Sequence, residues 1–288
     1  MKTYIASILF RCSQKLHLNR GRMQKQHPEL TESLHQFITS WKMIGKEFPQ
    51  TDQNDKPGLA VSWPDTHFPF YNALFLSEAM SDAGVLEENV QRAAEYMRTR
   101  RHGGLLLVCI DNLSGAAKEG LEATLTRTKF IPAIPMTGMA GDILPIESPG
   151  HAALHFVRIE DSATIQTFAE LNCKAYHLPL ETAVSVSREH TLWKKHAYGF
   201  LAYKGERAVA TATAIVNDGC IFLFLVATLP EAQRKGYGEA VVRHALQTAY
   251  EATGIRRTVL HATDAGYPIY SRLGYHPTVK FVGCLQVS

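Results

Sequence analysis

Between Thr31 and Lys46 the apolar residues Leu34, Phe37, Ile38, Trp41 and Ile44 recur at helical spacing, which predicts a helix with one buried stripe. Around the short apolar run 58–63 the chain is rich in proline, asparagine and aspartate, the pattern of a strand flanked by loops. A second helix is expected over 86–101, a buried strand over 105–110 between Gly103-Gly104 and Asp111-Asn112, a helix over 116–126, and an extended return over 131–139. Pro145 to Gly150 is the best linker on composition. Beyond it a strand over 154–158 leads to Asp161, a residue suited to cap the helix expected over 164–176. Three strands follow, over 198–203, 207–216 and 220–227. They are joined by Lys204-Gly205-Glu206 and Asn217-Asp218-Gly219, an antiparallel meander.

With 288 residues, the chain is long enough for two compact domains, here placed at 1–148 and 149–288. Apolar residues make up 45% and charged residues 20%, so a packed core is expected rather than disorder. The formal net charge of +3 is too small to argue for a nucleic-acid partner. No apolar run approaches the roughly 18 residues that a membrane-spanning helix needs, so no membrane partner is expected. Cys12, Cys109, Cys173, Cys220 and Cys284 are scattered, with no C-x-x-C pair, which fits reduced thiols in the cytoplasm and predicts neither a disulfide nor a metal site. Before Glu29 the chain is basic without an acidic residue, which reads as a basic first strand and loop or, alternatively, as a transit peptide.

The candidate chemistry lies just after the third meander strand, where Gln233-Arg234-Lys235-Gly236-Tyr237-Gly238-Glu239 opens a helix that turns Ala240, Val241, Ala245, Leu246 and Ala249 inward. Glycines at a helix start let the backbone approach an anion, and the free amides and positive dipole end favour phosphate. Gly-x-Gly alone is also a common tight turn. The context is more telling. The stretch resembles the Gln/Arg-x-x-Gly-x-Gly/Ala acyl-CoA signature of the GNAT superfamily of N-acetyltransferases, including Pro230 six residues before the first glycine. That family continues with a strand and a short helix ending in tyrosine, an apolar residue, glycine and an aromatic. Thr258 to His261 followed by Tyr270-Ser271-Arg272-Leu273-Gly274-Tyr275 matches that order.

The resemblance covers about 151–288 and implies the mixed α/β acyl-CoA N-acyltransferase fold, with acetyl-CoA as acyl donor and an amine as acceptor. Transfer in such enzymes is direct, within a ternary complex. Gln233, Arg234, Lys235, Gly236, Tyr237, Gly238 and Glu239 would hold the pyrophosphate. A bulge in the preceding strand would present Val226, Ala227 and Thr228 to the pantetheine arm, with the Val226 amide as oxyanion donor. Tyr270 takes the family position whose hydroxyl protonates the departing thiolate. A catalytically idle acyl-CoA sensor or interaction module on the same fold is the alternative.

No carboxylate lies between Cys220 and Pro230, so the base that would deprotonate an amine is open among His261, Asp218, His190, His196 and a water relay. In the first half, 125–132 aligns without a gap with 270–277, so 1–148 reads as a degenerate GNAT-like copy, with Leu125 at the tyrosine position and no glycine loop. Two such copies would pack as an intrachain pseudo-dimer, and Trp63, Phe68, Phe70 and Tyr71 could wall the acceptor groove.

Overall fold

A computed structural model describes residues 28–142, 151–184 and 191–287. The basic N-terminal stretch, the linker over 145–150 and His190 lie outside them. The first half runs α1 (Pro28–Gly45), β1 (Leu59–Ser62), β2 (Ala73–Leu76), α2 (Ala83–Arg98), β3 (Leu105–Cys109), α3 (Gly115–Arg127) and β4 (Phe130–Asp142). In the second half come β5 (His155–Arg158), α4 (Ser162–Ala175), the short helices α5 (Glu181–Val184) and α6 (Thr191–Lys195), then the meander β6 (Ala197–Lys204), β7 (Arg207–Asn217) and β8 (Cys220–Thr228). It ends with α7 (Tyr237–Thr253), β9 (Arg257–Ala262), α8 (Tyr267–Arg272) and β10 (His276–Gln286).

The ten strands among the described residues join one mixed sheet in the order β1-β2-β3-β10-β4-β9-β8-β7-β6-β5. The mixed α/β fold expected from the sequence is the one observed, and two strands were not foreseen. β2 follows a tight turn, in a stretch for which the sequence pattern predicted no element. β10 leaves the second half altogether, inserting antiparallel between β3 and β4, while β4 pairs with β9. Each half therefore lays its last strand beside the other half's strand. Extended without a gap, the alignment of the two halves makes Met136 the counterpart of Phe281, and those residues are paired where β4 meets β10. The arrangement has the geometry of a two-fold exchange within one chain.

Side chains alternate across this sheet as a period of two requires. On β3, Leu106 and Val108 join Leu86, Val90 and Leu121 of α2 and α3 in one buried cluster, while Leu105 and Leu107 face the larger cluster on the other side. α1 lies over the seam on that larger side. Phe37 is packed among Phe75, Phe222 and Phe281, and Trp41 meets Phe222 and Phe224 edge-on. Charge pins the same helix, since Arg257 on β9 is bonded to Glu32 and Glu29, and His276 on β10 to Glu29. Asp161 caps α4 as expected, in a reciprocal capping box with Thr164. The first-half aromatics depart from their expected role: Trp63, Phe68 and Tyr71 are buried in the core, because large rings gain more by leaving water than by walling a groove. Cys109, Cys173, Cys220 and Cys284 are free and buried.

Candidate functional site

β8 and β9 run parallel and are paired only through Ile221–Thr258, Phe222–Val259 and Leu223–Leu260. Past Leu223 the strands part. On its other edge β8 carries a bulge, for between the pairs Thr213–Phe224 and Thr211–Ala227 two residues, Leu225 and Val226, face the single Ala212. Leu225 takes φ 46°, a left-handed conformation uncommon for leucine, which turns the strand out of plane. The bulge thus begins one residue before the stretch 226–228 expected from the sequence.

Into the opening runs a cavity of about 640 Å³. Val226, Ala227 and Thr228 line it from the bulge, Gln233, Arg234, Gly236, Tyr237, Gly238 and Glu239 from the loop and the first turn of α7, and Tyr270 from α8. Lys235 is the one expected loop residue outside the lining; its Nζ donates to the Glu231 carbonyl at 2.9 Å. Gly236 sits at φ 79°, where a side chain is strained, and is the N-cap of α7. A Cβ on Gly238 would lie 2.8 Å from Thr228 Oγ1, so this helix start packs tightly against the end of β8. Glu239 puts a carboxylate in the first turn. Burial alone would raise its pKa, but hydrogen bonds from Arg243 and Arg272 outweigh that and hold it below the usual range. Of these two guanidiniums, that of Arg272 lines the cavity.

Tyr270 is buried, and burial, aided by Tyr176 and Tyr275, raises its phenol far above the ordinary value, so the hydroxyl stays protonated. Tyr176, at the end of α4, was not singled out from the sequence. Its hydroxyl donates to the Val226 carbonyl at 3.0 Å and its ring lies edge-on to Phe70 of the first half, 5.3 Å between centroids. A lone tyrosine eight residues after Phe168 on the buried stripe carries no signal of that contact in sequence. Of the possible bases, His261 lines the cavity. Asp218 is exposed in its turn and paired with His35, and His196 is exposed outside the cavity.

Residues 165–275, most of the second half of the chain, match the acetyltransferase (GNAT) family. Solved structures with the same fold include a GCN5-related N-acetyltransferase from Kribbella flavida, 17% identical, with a TM-score of 0.63 over 88% of this chain and 95% of that one. A functionally unknown conserved protein from Staphylococcus epidermidis is 14% identical, with a TM-score of 0.58 over 84% and 96%. A tandem GNAT protein from the clavulanic acid biosynthesis pathway is 14% identical, with a TM-score of 0.51 over 88% and 94%. At such identities the likeness is one of fold, and it extends through both halves of the chain. No curated protein matches the chain by sequence. No described helix is long and apolar enough to cross a membrane, and no group of three potential metal ligands occurs among the described residues.

Proposed function

We propose that the chain is an acyl-CoA-dependent N-acetyltransferase, acting in the cytoplasm on an amine, with its catalytic site in the 149–288 half and a degenerate copy of the domain in 1–148. The observation that carries this reading is the single cavity that joins the glycine loop, the β8 bulge and Tyr270. The loop fits a pyrophosphate: glycine at φ 79°, a helix N-terminus, and Arg234 and Arg272 in the cavity lining. The pantetheine arm would lie along Val226, Ala227 and Thr228, and the Val226 amide would stabilise charge developing on the thioester oxygen. A preorganised donor of that kind contributes about 3 kcal/mol elsewhere.

In transfer, the nitrogen lone pair attacks the thioester carbonyl, the carbon–sulfur bond breaks with its electrons on sulfur, and the amine proton ends on the thiol. A thiolate with a pKa of about 8.5 leaves readily. Tyr270 holds its own proton too tightly to surrender it outright, so its contribution is a hydrogen bond to the departing sulfur. The test is a thermal-shift titration with acetyl-CoA on wild type and Tyr270→Phe, followed by thiol release across a panel of amines. Both proteins should be stabilised by the ligand, with release slowed in the variant. A wild type unmoved by acetyl-CoA refutes the reading; binding with release unaffected by the variant points to another leaving-group partner.

A further inference from the structure

Opposite the glycine loop, the cavity ends at His261. Pairing between β8 and β9 stops at Leu223 and Leu260, so Phe224 and His261 are the first residues on the two lips of the opening. The imidazole stacks on Phe37 with centroids 3.9 Å apart and meets Phe281 edge-on at 4.5 Å. Its Nε2 lies 3.0 Å from Oγ of buried Ser33, on α1. Nδ1 is shielded and has no partner among the described residues. The first half of the chain thus contributes the residue that orients this ring.

Burial pushes the His261 pKa down to about 3, so the ring is neutral at neutral pH. Part of it still faces the cavity, where a ligand that displaced water would complete its burial. A neutral imidazole has one N–H and one lone pair. Ser33 satisfies one nitrogen; the other is shielded on a residue that lines the cavity, and shielded polar atoms without partners call for an explanation.

We propose that Nδ1 of His261 accepts the hydrogen bond of the acceptor's attacking nitrogen, and that the acceptor is a weakly basic amine on an apolar carrier, uncharged at neutral pH. This rests on the acyl-transfer reading above. Nε2–H donates to Ser33, Nδ1 presents its lone pair, and the amine N–H that binds it leaves the nitrogen's own lone pair free for the carbonyl carbon. Beside His261 the wall is Leu223, Phe224, Leu225, Ala262 and Thr263, which supplies no carboxylate to pair with an ammonium. Glu239, the carboxylate among the described lining residues, is taken by Arg243 and Arg272. An amine with the lysine pKa of about 10.4 is neutral in only about one molecule in two thousand at pH 7, whereas an arylamine enters uncharged. His261 orients the amine and need not carry its proton, which ends on sulfur.

The probes are 4-methoxyaniline and the strongly basic 4-methoxybenzylamine, with acetyl-CoA, on wild type, His261→Asn and His261→Gln. An asparagine amide reaches roughly the position of Nδ1 and a glutamine amide that of Nε2, so the first keeps the cavity group and the second the Ser33 bond. The expected result is at least about tenfold preference for the aniline at pH 7, and an at least tenfold loss of aniline kcat/KM in the glutamine variant. The asparagine variant should lose clearly less, and all three proteins should bind acetyl-CoA alike. Equal losses in both variants, a glutamine variant as active as wild type, or a preference for the benzylamine overturns the proposal. Independently of folding in the variants, ¹⁵N-histidine NMR of wild type should show Nδ1 unprotonated and shifted by the aniline in the presence of CoA; a protonated Nδ1 overturns it. Failure of wild type to bind acetyl-CoA would instead sink the acyl-transfer reading beneath it.

Discussion

Gly236 allows the loop geometry to be separated from mere glycine content. Its φ of 79° is left-handed, and the nearest atoms to a Cβ built there belong to His151, 3.7 Å away, so space is available and conformation is the obstacle. Alanine in that region costs about 1 to 2 kcal/mol, a factor of roughly 5 to 30 in an equilibrium constant. If the loop keeps its shape, Gly236→Ala should lower stability by that amount and spare acetyl-CoA affinity. Should the loop relax to negative φ, stability is recovered while the amides of Tyr237 and Gly238 swing away and affinity falls instead. One of the two quantities must suffer. Gly236→Asn fills the same space with a residue that tolerates left-handed backbone, so it should recover most of what alanine loses. Urea denaturation gives the stability and calorimetric titration with acetyl-CoA the affinity. Alanine and asparagine variants both matching wild type in stability and affinity would refute the argument that this conformation builds the anion site.

Tyr176→Phe removes the donor to the Val226 carbonyl, a hydrogen bond worth about 0.5 to 1.5 kcal/mol, while keeping the ring against Phe70. Turnover should fall more than acetyl-CoA affinity, because the bond holds the bulge rather than the cofactor loop; equal falls in kcat and affinity would contradict that. Stability should also decline with acid in two windows. His261 is depressed from 6.5 to about 3 by burial, so the unfolded chain takes up a proton that the folded chain refuses, and stability falls by about 2 kcal/mol between pH 6.5 and 5. Glu29 acts lower. Burial would raise its pKa, but bonds from His276 and Arg257 prevail and hold it below 4.5, so its contribution is present above that value and lost as pH falls through the lowered one. Urea unfolding between pH 5 and 7 should show a slope about one proton shallower in His261→Asn than in wild type, and parallel slopes would count against the buried neutral ring.

The parts of the site legible in the sequence are those fixed by local backbone. Gly236 and Gly238 follow a strand and open a helix, a short-range signal, and Tyr270 is tied to Gly274 and Tyr275 within one helix and its turn. The β8 bulge was anticipated only through the family, and it falls one residue early because the left-handed residue is Leu225, which has no turn-forming chemistry to announce it. Tyr176 and Ser33 could not be read at all. Their partners, Val226 and His261, lie 50 and 228 residues away along the chain, and nothing in the intervening pattern encodes those contacts.

The destination of β10 is the deeper case. Its alternation suits a strand, but alternation says which face is buried, not which neighbour supplies the hydrogen bonds. Lying between β3 and β4, it makes the second half complete only when β4 crosses over to β9, so neither half closes its sheet alone. That exchange also explains how a first half without a glycine loop bears on the chemistry. α1 is clamped over the seam by Arg257 and His276, and the same helix brings Ser33 to His261 at the mouth of the β8–β9 opening. The first half carries no glycine loop, yet through Ser33 its packing against the second half shapes the cavity wall at His261.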